Sequence, residues 1–313
     1  MHPYSVAWLW WLGLQLPKTE GFSQRRLTVR PHLSLHVASH GPINGQLVVF
    51  LHGFPEFWWS WRHQLRALGD AGFLAVAPDL RGYGDSDKPD PRQGGYDIAT
   101  LAEDIALLIK VLQSERGHAE SAMVVAHDWG GAIAWALAAV HPQVVQRLVI
   151  LNAPHPLAFR RSLWRHPSQL FKSWYMVMFQ IPGLTERWIA KDPVTAMARS
   201  FLGAAGKRSA FARTDFAVYG ERIARPGVAQ AALAYYRSIP KFLALTDSLA
   251  RPIACPVLTL WGRKDPALGD FLAPEAQHWC SGPFEVRYFA DAGHWLQQEE
   301  PEAVNVELLE FLC

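Results

Sequence analysis

Cysteine is scarce: Cys255, Cys280 and Cys313 are the only three in 313 residues, and no two stand in a CxxC spacing. So sparse and odd a set builds neither a disulfide framework nor a thiolate zinc site, which points to a reducing, cytoplasmic setting and to no structural metal. Net charge is almost absent as well, since 30 basic against 28 acidic side chains leave +2. No run of Lys or Arg could track a phosphate backbone, which argues against nucleic acid as a partner. Repeats and low-complexity tracts are missing. The apolar N-terminal stretch from Tyr4 to Leu16, with Trp8, Trp10 and Trp11, is shorter than the roughly 20 residues that span a bilayer. It also lacks a basic leader and an A-x-A cleavage signal. We expect a helix laid on the protein's own surface or at a dimer contact, with peripheral membrane attachment as the alternative.

What remains is a chain of 50% hydrophobic residues, enough for one large core carrying an inserted subdomain. Short β-rich runs at Leu47–Leu51, Phe73–Ala77, Met123–Ala126, Leu148–Leu151, Val257–Trp261 and Val286–Phe289 alternate with helical patterns. Such alternation predicts a mostly parallel sheet covered on both faces. It stops after Leu151: residues 155–245 show helix-like spacing, are rich in Trp, Phe, Tyr, Arg and Ala, and contain no strand pair. We therefore expect a core of residues 1–154 and 246–313, interrupted by a helical lid over 155–245. Ligands of open α/β sheets sit beyond the carboxyl ends of the strands, so the loops there are where chemistry is to be sought.

One such loop is Val124-Val125-Ala126-His127-Asp128-Trp129-Gly130-Gly131, running from an apolar strand into an Ala-rich helix. Small residues two before and two after Asp128 match the steric need of a nucleophile elbow, with aspartate where esterases hold serine. Aspartate, with an ordinary pKa near 3.9, is already an anion at neutral pH and needs no base to attack. Attack on an ordinary ester would give an anhydride, whereas attack on a strained or activated sp³ carbon gives a stable alkyl ester, so the substrate should be an alkylating agent. A plain helix N-cap is the alternative for this aspartate taken alone. His52-Gly53-Phe54-Pro55, following Leu47–Leu51, stands where this kind of fold supplies part of an oxyanion hole. The expected donors are the backbone N–H groups of Phe54 and Trp129; taken alone, the motif is also an ordinary strand-closing turn.

With residues 52–65 (HGFPEFWWSWRHQL), 79–89 (DLRGYGDSDKP), 124–135 (VVAHDWGGAIAW), 261–268 (WGRKDPAL) and 293–301 (GHWLQQEEP), the chain resembles the α/β-hydrolase-fold epoxide hydrolases from about Phe50 to its end. The HDWGG element alone is shared with haloalkane dehalogenases. The resemblance implies a two-step ester mechanism without a cofactor. It implies His294, in Gly293-His294-Trp295, as the base and Asp265, in Arg263-Lys264-Asp265-Pro266, as the acid that orients it. Asp291, close to His294 in sequence, is the rival acid and is read as a turn residue. Tyr175 and Tyr236 match the lid tyrosines that hold the epoxide oxygen; neutral phenols donate hydrogen bonds without carrying charge. Tyr235 is the neighbouring competitor. Asp79–Gly84 reads as a geometry-fixing turn, and Trp58, Trp59 and Trp61 as pocket lining or core packing. The expected reactants are a lipophilic epoxide and water, with oligomerisation left open. A haloalkane dehalogenase, or a non-catalytic binding protein on the same scaffold, are the rival functions.

Overall fold

The computed structural model describes residues 21–117, 119–240 and 249–313; the Trp-rich stretch from Tyr4 to Leu16 lies outside them. Eight strands form one sheet: β1 (Ser23–Arg30), β2 (Leu33–His40), β3 (Leu47–Leu51), β4 (Leu74–Pro78), β5 (Ala122–His127), β6 (Val145–Leu151), β7 (Val257–Gly262) and β8 (Phe284–Phe289). Their spatial order is β1-β2-β4-β3-β5-β6-β7-β8. From β4 to β8 every pairing is parallel, while β1 with β2 and β2 with β4 are antiparallel.

Strands β3, β4, β5 and β7 are buried at every residue, which is why they read as unbroken apolar runs rather than as alternating patterns. The hairpin β1–β2 escaped that reading. Ser23–Arg30 is an edge strand exposed at most positions, with only Leu27 and Val29 turned inward. Its signal is period-two alternation in a polar context, not an apolar run. The remaining strands differ from expectation only at their ends, β6 for instance beginning at Val145.

Helices α1 (Arg62–Asp70), α2 (Ile98–Arg116) and α3 (Asp128–Val140) connect the parallel strands. The start of α2 is fixed by the Asp97 carboxylate, which accepts from the Thr100 N–H at 3.0 Å, and its end by Gly117 in the left-handed conformation. Between β6 and β7 the described residues form seven α-helices and no named strand: α4 (Pro156–Arg165), α5 (Pro167–Lys172), α6 (Trp174–Phe179), α7 (Leu184–Lys191), α8 (Pro193–Ala204), α9 (Arg213–Ile223) and α10 (Val228–Arg237). Beyond them, α11 (Leu272–Glu275) precedes β8, and α12 (Leu296–Glu299) and α13 (Pro301–Leu312) end the chain. No helix among the described residues is long and apolar enough to cross a membrane, and all three cysteines are free.

Pairing register brings the ends of β3, β5, β6 and β7 to one edge, since Leu51 faces Ala126, Ala126 faces Ile150 and Leu151 faces Leu260. The loops after these strands therefore meet. Trp58, Trp59 and Trp61 are buried: Trp61 packs on Phe50 with ring centroids 5.2 Å apart, and Trp58 on Phe22 at 5.4 Å. None of the three lines the cavities at Asp128, so core packing is their role. Asp79 fixes the loop that follows it, accepting from the backbone of Trp58 at 3.0 Å and of Asp85 at 2.8 Å while facing His36 at 2.9 Å.

Candidate active site

Asp128 occupies a sharp turn between β5 and α3 with φ of +50°, a left-handed conformation that costs a non-glycine residue of order 1 kcal/mol or more and persists only where the surroundings enforce it. The surroundings are crowded. A Cβ on Gly130 would stand 2.3 Å from the Leu51 carbonyl oxygen, and one on Gly131 would stand 2.3 Å from Ala153 Cβ. The small residues of the elbow are thus a consequence of β5 leaving the sheet directly beneath the loop after β3.

That loop delivers the Phe54 N–H to Asp128 Oδ1 at 2.8 Å. On the other carboxylate oxygen, His294 Nε2 lies 3.5 Å from Oδ2, and the far side of the imidazole, Nδ1, is 2.7 Å from Asp265 Oδ2. Asp265 is in turn anchored by four hydrogen-bond partners: its Oδ1 accepts from Ala267 N–H at 2.8 Å and Leu268 N–H at 3.0 Å, and Oδ2 accepts from Asn152 Nδ2 at 2.9 Å besides facing His294. Asp291 instead sits on the surface, paired with Lys264.

Burial alone would raise the pKa of Asp128, but the hydrogen bond and charge of His294 outweigh it and hold the carboxyl below the ordinary value. Asp265 follows the same balance, its burial outweighed by the His294 charge and its hydrogen bonds. For His294 burial favours the neutral ring, yet the two flanking carboxylates raise its pKa well above 6.5. The two flanking carboxylates thus favour the protonated ring.

Across from Asp128 stand two tyrosines from different helices, Tyr175 of α6 and Tyr236 of α10, with ring centroids 6.1 Å apart. Burial, followed by the nearby Asp128 charge, raises both phenol pKa values, so each remains a neutral O–H donor at physiological pH. Tyr235 points elsewhere, donating to the Arg81 carbonyl at 2.7 Å. Two cavities meet at this point: a narrow one of about 80 Å³, reaching Phe159 and Leu268, and a wider one of about 330 Å³, reaching Trp174, Trp188 and His294. Asp128, Tyr175 and Tyr236 line both.

Residues 46–301 match the family model for the α/β hydrolase fold. The chain is 36% identical to epoxide hydrolase 3 of Xenopus tropicalis over 90% of its own length and 75% of that protein's. It is also 36% identical to the AB hydrolase superfamily protein YfhM of Bacillus subtilis, over 90% of its own length and 94% of that protein's. The chain belongs to the α/β-hydrolase-fold epoxide hydrolase family. Membership makes it a hydrolase enzyme. Among solved structures, the Bacillus megaterium epoxide hydrolase in complex with an inhibitor superposes with a TM-score of 0.79 at 31% identity, over 92% of this chain and 99% of that one.

Two features of this family member were not read from its sequence. Asn152 follows β6 at φ of +40°; its side chain donates to Asp265 and its Oδ1 accepts from the Gly262 N–H at 2.9 Å, tying the ends of β6 and β7 together under the acid. An amide directly after a strand of the site was the available signal. Beneath the Phe54 loop, Glu56 is fully enclosed, its Oε2 accepting from Gly53 N–H at 3.0 Å and meeting His127 Nδ1 at 2.9 Å. Gln297 and Gln298 donate to its Oε1 at 2.9 and 2.8 Å, and His127 Nε2 reaches the His294 carbonyl oxygen at 2.8 Å. One buried carboxylate thereby connects the loops that carry Phe54, Asp128 and His294. Nothing in the spacing of Glu56, His127 and Gln297 announces it.

Proposed function

We propose that this enzyme converts lipophilic epoxides to vicinal diols through a covalent ester on Asp128. The observation that carries the proposal is that one anionic carboxylate and two neutral phenols share the boundary between two apolar chambers. An epoxide spanning that boundary has its oxygen held by Tyr175 and Tyr236 while Asp128 attacks a ring carbon from the opposite side. The C–O bond of the ring breaks, the departing oxygen takes a proton from a phenol, and a hydroxyalkyl ester results. The two chambers suit substituents on both sides of the ring, and residues 155–245 act as the lid that encloses them.

Ester formation removes the charge on Asp128, and with it part of what keeps His294 protonated. The ring passes its proton to the phenolate left by ring opening, which restores that phenol, and becomes available as a base at the step that requires one. Oriented by Asp265, it takes a proton from water, which adds to the ester carbonyl; the Phe54 and Trp129 N–H groups stabilise the oxyanion, each such donor contributing about 3 kcal/mol in comparable sites. On collapse the leaving diol oxygen takes the proton back from His294, and the Asp128 carboxyl left behind ionises onto the same ring, which restores the starting carboxylate.

The test is a substrate panel of styrene oxide, an aliphatic terminal epoxide, a fatty-acid epoxide and 1-bromobutane, with diol and halide measured separately. Diol from the epoxides with negligible bromide supports the proposal. Bromide release at a rate comparable to diol formation would favour a haloalkane dehalogenase, and no turnover of any would favour a binding protein.

A further inference from the structure

The helices between β6 and β7 carry a surface that the chemistry above does not use. Among the described residues, eleven large hydrophobic side chains are exposed, and eight of them fall between Trp164 and Trp188. The exposure is extensive: Trp164 is 89% exposed, Phe171 78%, Val177 71% and Trp174 64%. Phe171 lies on α5, Trp174 and Val177 on α6, Ile181 in the turn that follows, and Leu184 and Trp188 on α7. Their exposure places these residues on the outward side of three consecutive short helices and the turn between the last two. An apolar surface of this extent, rimmed by polar groups, marks a site of association.

The rim says what associates. Residues 155–192 contain six Lys and Arg against two acids, Glu186 and Asp192, and Glu186 is already paired with Arg237 at 2.7 Å. Arg165, Arg187 and Lys191 are exposed. Exposed Trp, Phe and Leu bordered by exposed cations are the composition of a surface that lies in the headgroup region of an anionic bilayer. The cavity adds a second argument. Trp174 is 64% and Trp188 43% exposed, yet both line the 330 Å³ chamber that contains Asp128. The chamber therefore opens within the apolar surface.

We infer that the α4–α7 face docks on anionic lipid bilayers, placing the mouth of the active-site cavity against the membrane so that lipid-dissolved substrate enters without crossing water. The docking stands on the surface alone; the delivery of substrate rests on the epoxide hydrolase function proposed above.

The test uses the full chain with extruded vesicles of phosphatidylcholine, alone or mixed with phosphatidylglycerol, and measures the sedimented fraction. Wild-type protein should bind the anionic vesicles and bind the neutral ones weakly. The triple variant W164S/F171S/V177S, which spares both cavity-lining tryptophans, should lower vesicle affinity at least about tenfold through loss of three apolar anchors, with hydrolysis of styrene oxide in buffer unchanged. A second variant, W8S/W10S/W11S, should still bind. Triple-variant binding equal to wild type, or binding lost in the N-terminal variant alone, would overturn the inference and make the N-terminal stretch the anchor. A wild-type chain that ignores vesicles and sediments as a dimer, which the lid variant dissociates, would overturn it in favour of a second copy covering the face. Vesicle binding without turnover of any epoxide would leave the docking intact and refute the proposed function.

Discussion

Replacing Gly53 by Ala should slow alkylation of Asp128 by about two orders of magnitude in a protein that still folds. Gly53 is not in the left-handed region, so its backbone accepts alanine; the obstacle is the nucleophile itself. An added Cβ would stand 2.5 Å from Asp128 Cβ and 2.6 Å from its Oδ1, against ordinary contacts of 3.4 Å or more. Nearly an ångström must be found. Asp128 cannot retreat cheaply, since it is held at positive φ and bonded to Phe54 N–H, and Gly53 is bonded to the enclosed Glu56. Misplacing a reacting group by about 1 Å costs on the order of 10²-fold in rate, and local overpacking costs about 1–3 kcal/mol of stability. Rapid-quench single-turnover kinetics with styrene oxide read the first quantity, and thermal unfolding followed by circular dichroism reads the second. A folded G53A variant that alkylates within about threefold of the wild-type rate, a barrier change below 1 kcal/mol, would show that the close approach of the two loops does not set the nucleophile's position.

Tyr175→Phe and Tyr236→Phe should each slow alkylation, and the double variant should be far slower than either. Because both phenols serve one oxygen, the effects need not add, and a double variant that alkylates at the wild-type rate would remove the tyrosines from the chemistry. Single-turnover alkylation should be nearly independent of pH from about 5 to 8, because the Asp128 carboxyl titrates below its ordinary range near 3.9. Hydrolysis of the ester should instead decline as pH falls, because protonated His294 cannot serve as base; ester hydrolysis unchanged between pH 8 and 5 would exclude that histidine. Asp79→Asn tests the structural carboxylate. Burial raises its pKa, but the His36 hydrogen bond and charge together with two backbone N–H groups lower it from 3.8 to about 2. A depressed carboxyl stabilises the fold above its unfolded pKa and ceases to do so as pH falls through about 4 to 2, a contribution of about 2 kcal/mol. Urea midpoints of wild type and D79N should therefore be separated at pH 7 and converge at pH 2; a constant separation would contradict the assignment.

The central parallel strands were legible because burial on both faces leaves mostly apolar residues in them, as in Leu47–Leu51 and Val257–Leu260. Strand Ser23–Arg30 was not, because an exposed edge needs few apolar residues and hides two inward ones among charges. The sharp turn at Asp128 was legible because an elbow forces small neighbours around it, and the close contacts of Gly130 and Gly131 supply the physical reason. Support residues left no such trace. Glu56, His127 and Gln297 meet through hydrogen bonds across up to 241 positions of chain, and Asn152 meets Asp265 across 113; pairings of that kind follow only from three-dimensional packing. Helices α5–α7 were legible as helical spacing, but spacing alone does not tell which side faces outward.

The central claim is that carbon becomes bonded to Asp128 before water attacks, and trapping that bond tests it most directly. A His294→Gln variant incubated with saturating styrene oxide should gain the mass of one epoxide, localised by peptide mass spectrometry to the segment containing Asp128, and the added mass should be absent from an Asp128→Asn/His294→Gln double variant. Unmodified H294Q protein at saturating substrate, or a label carried on any other residue, would contradict the covalent account.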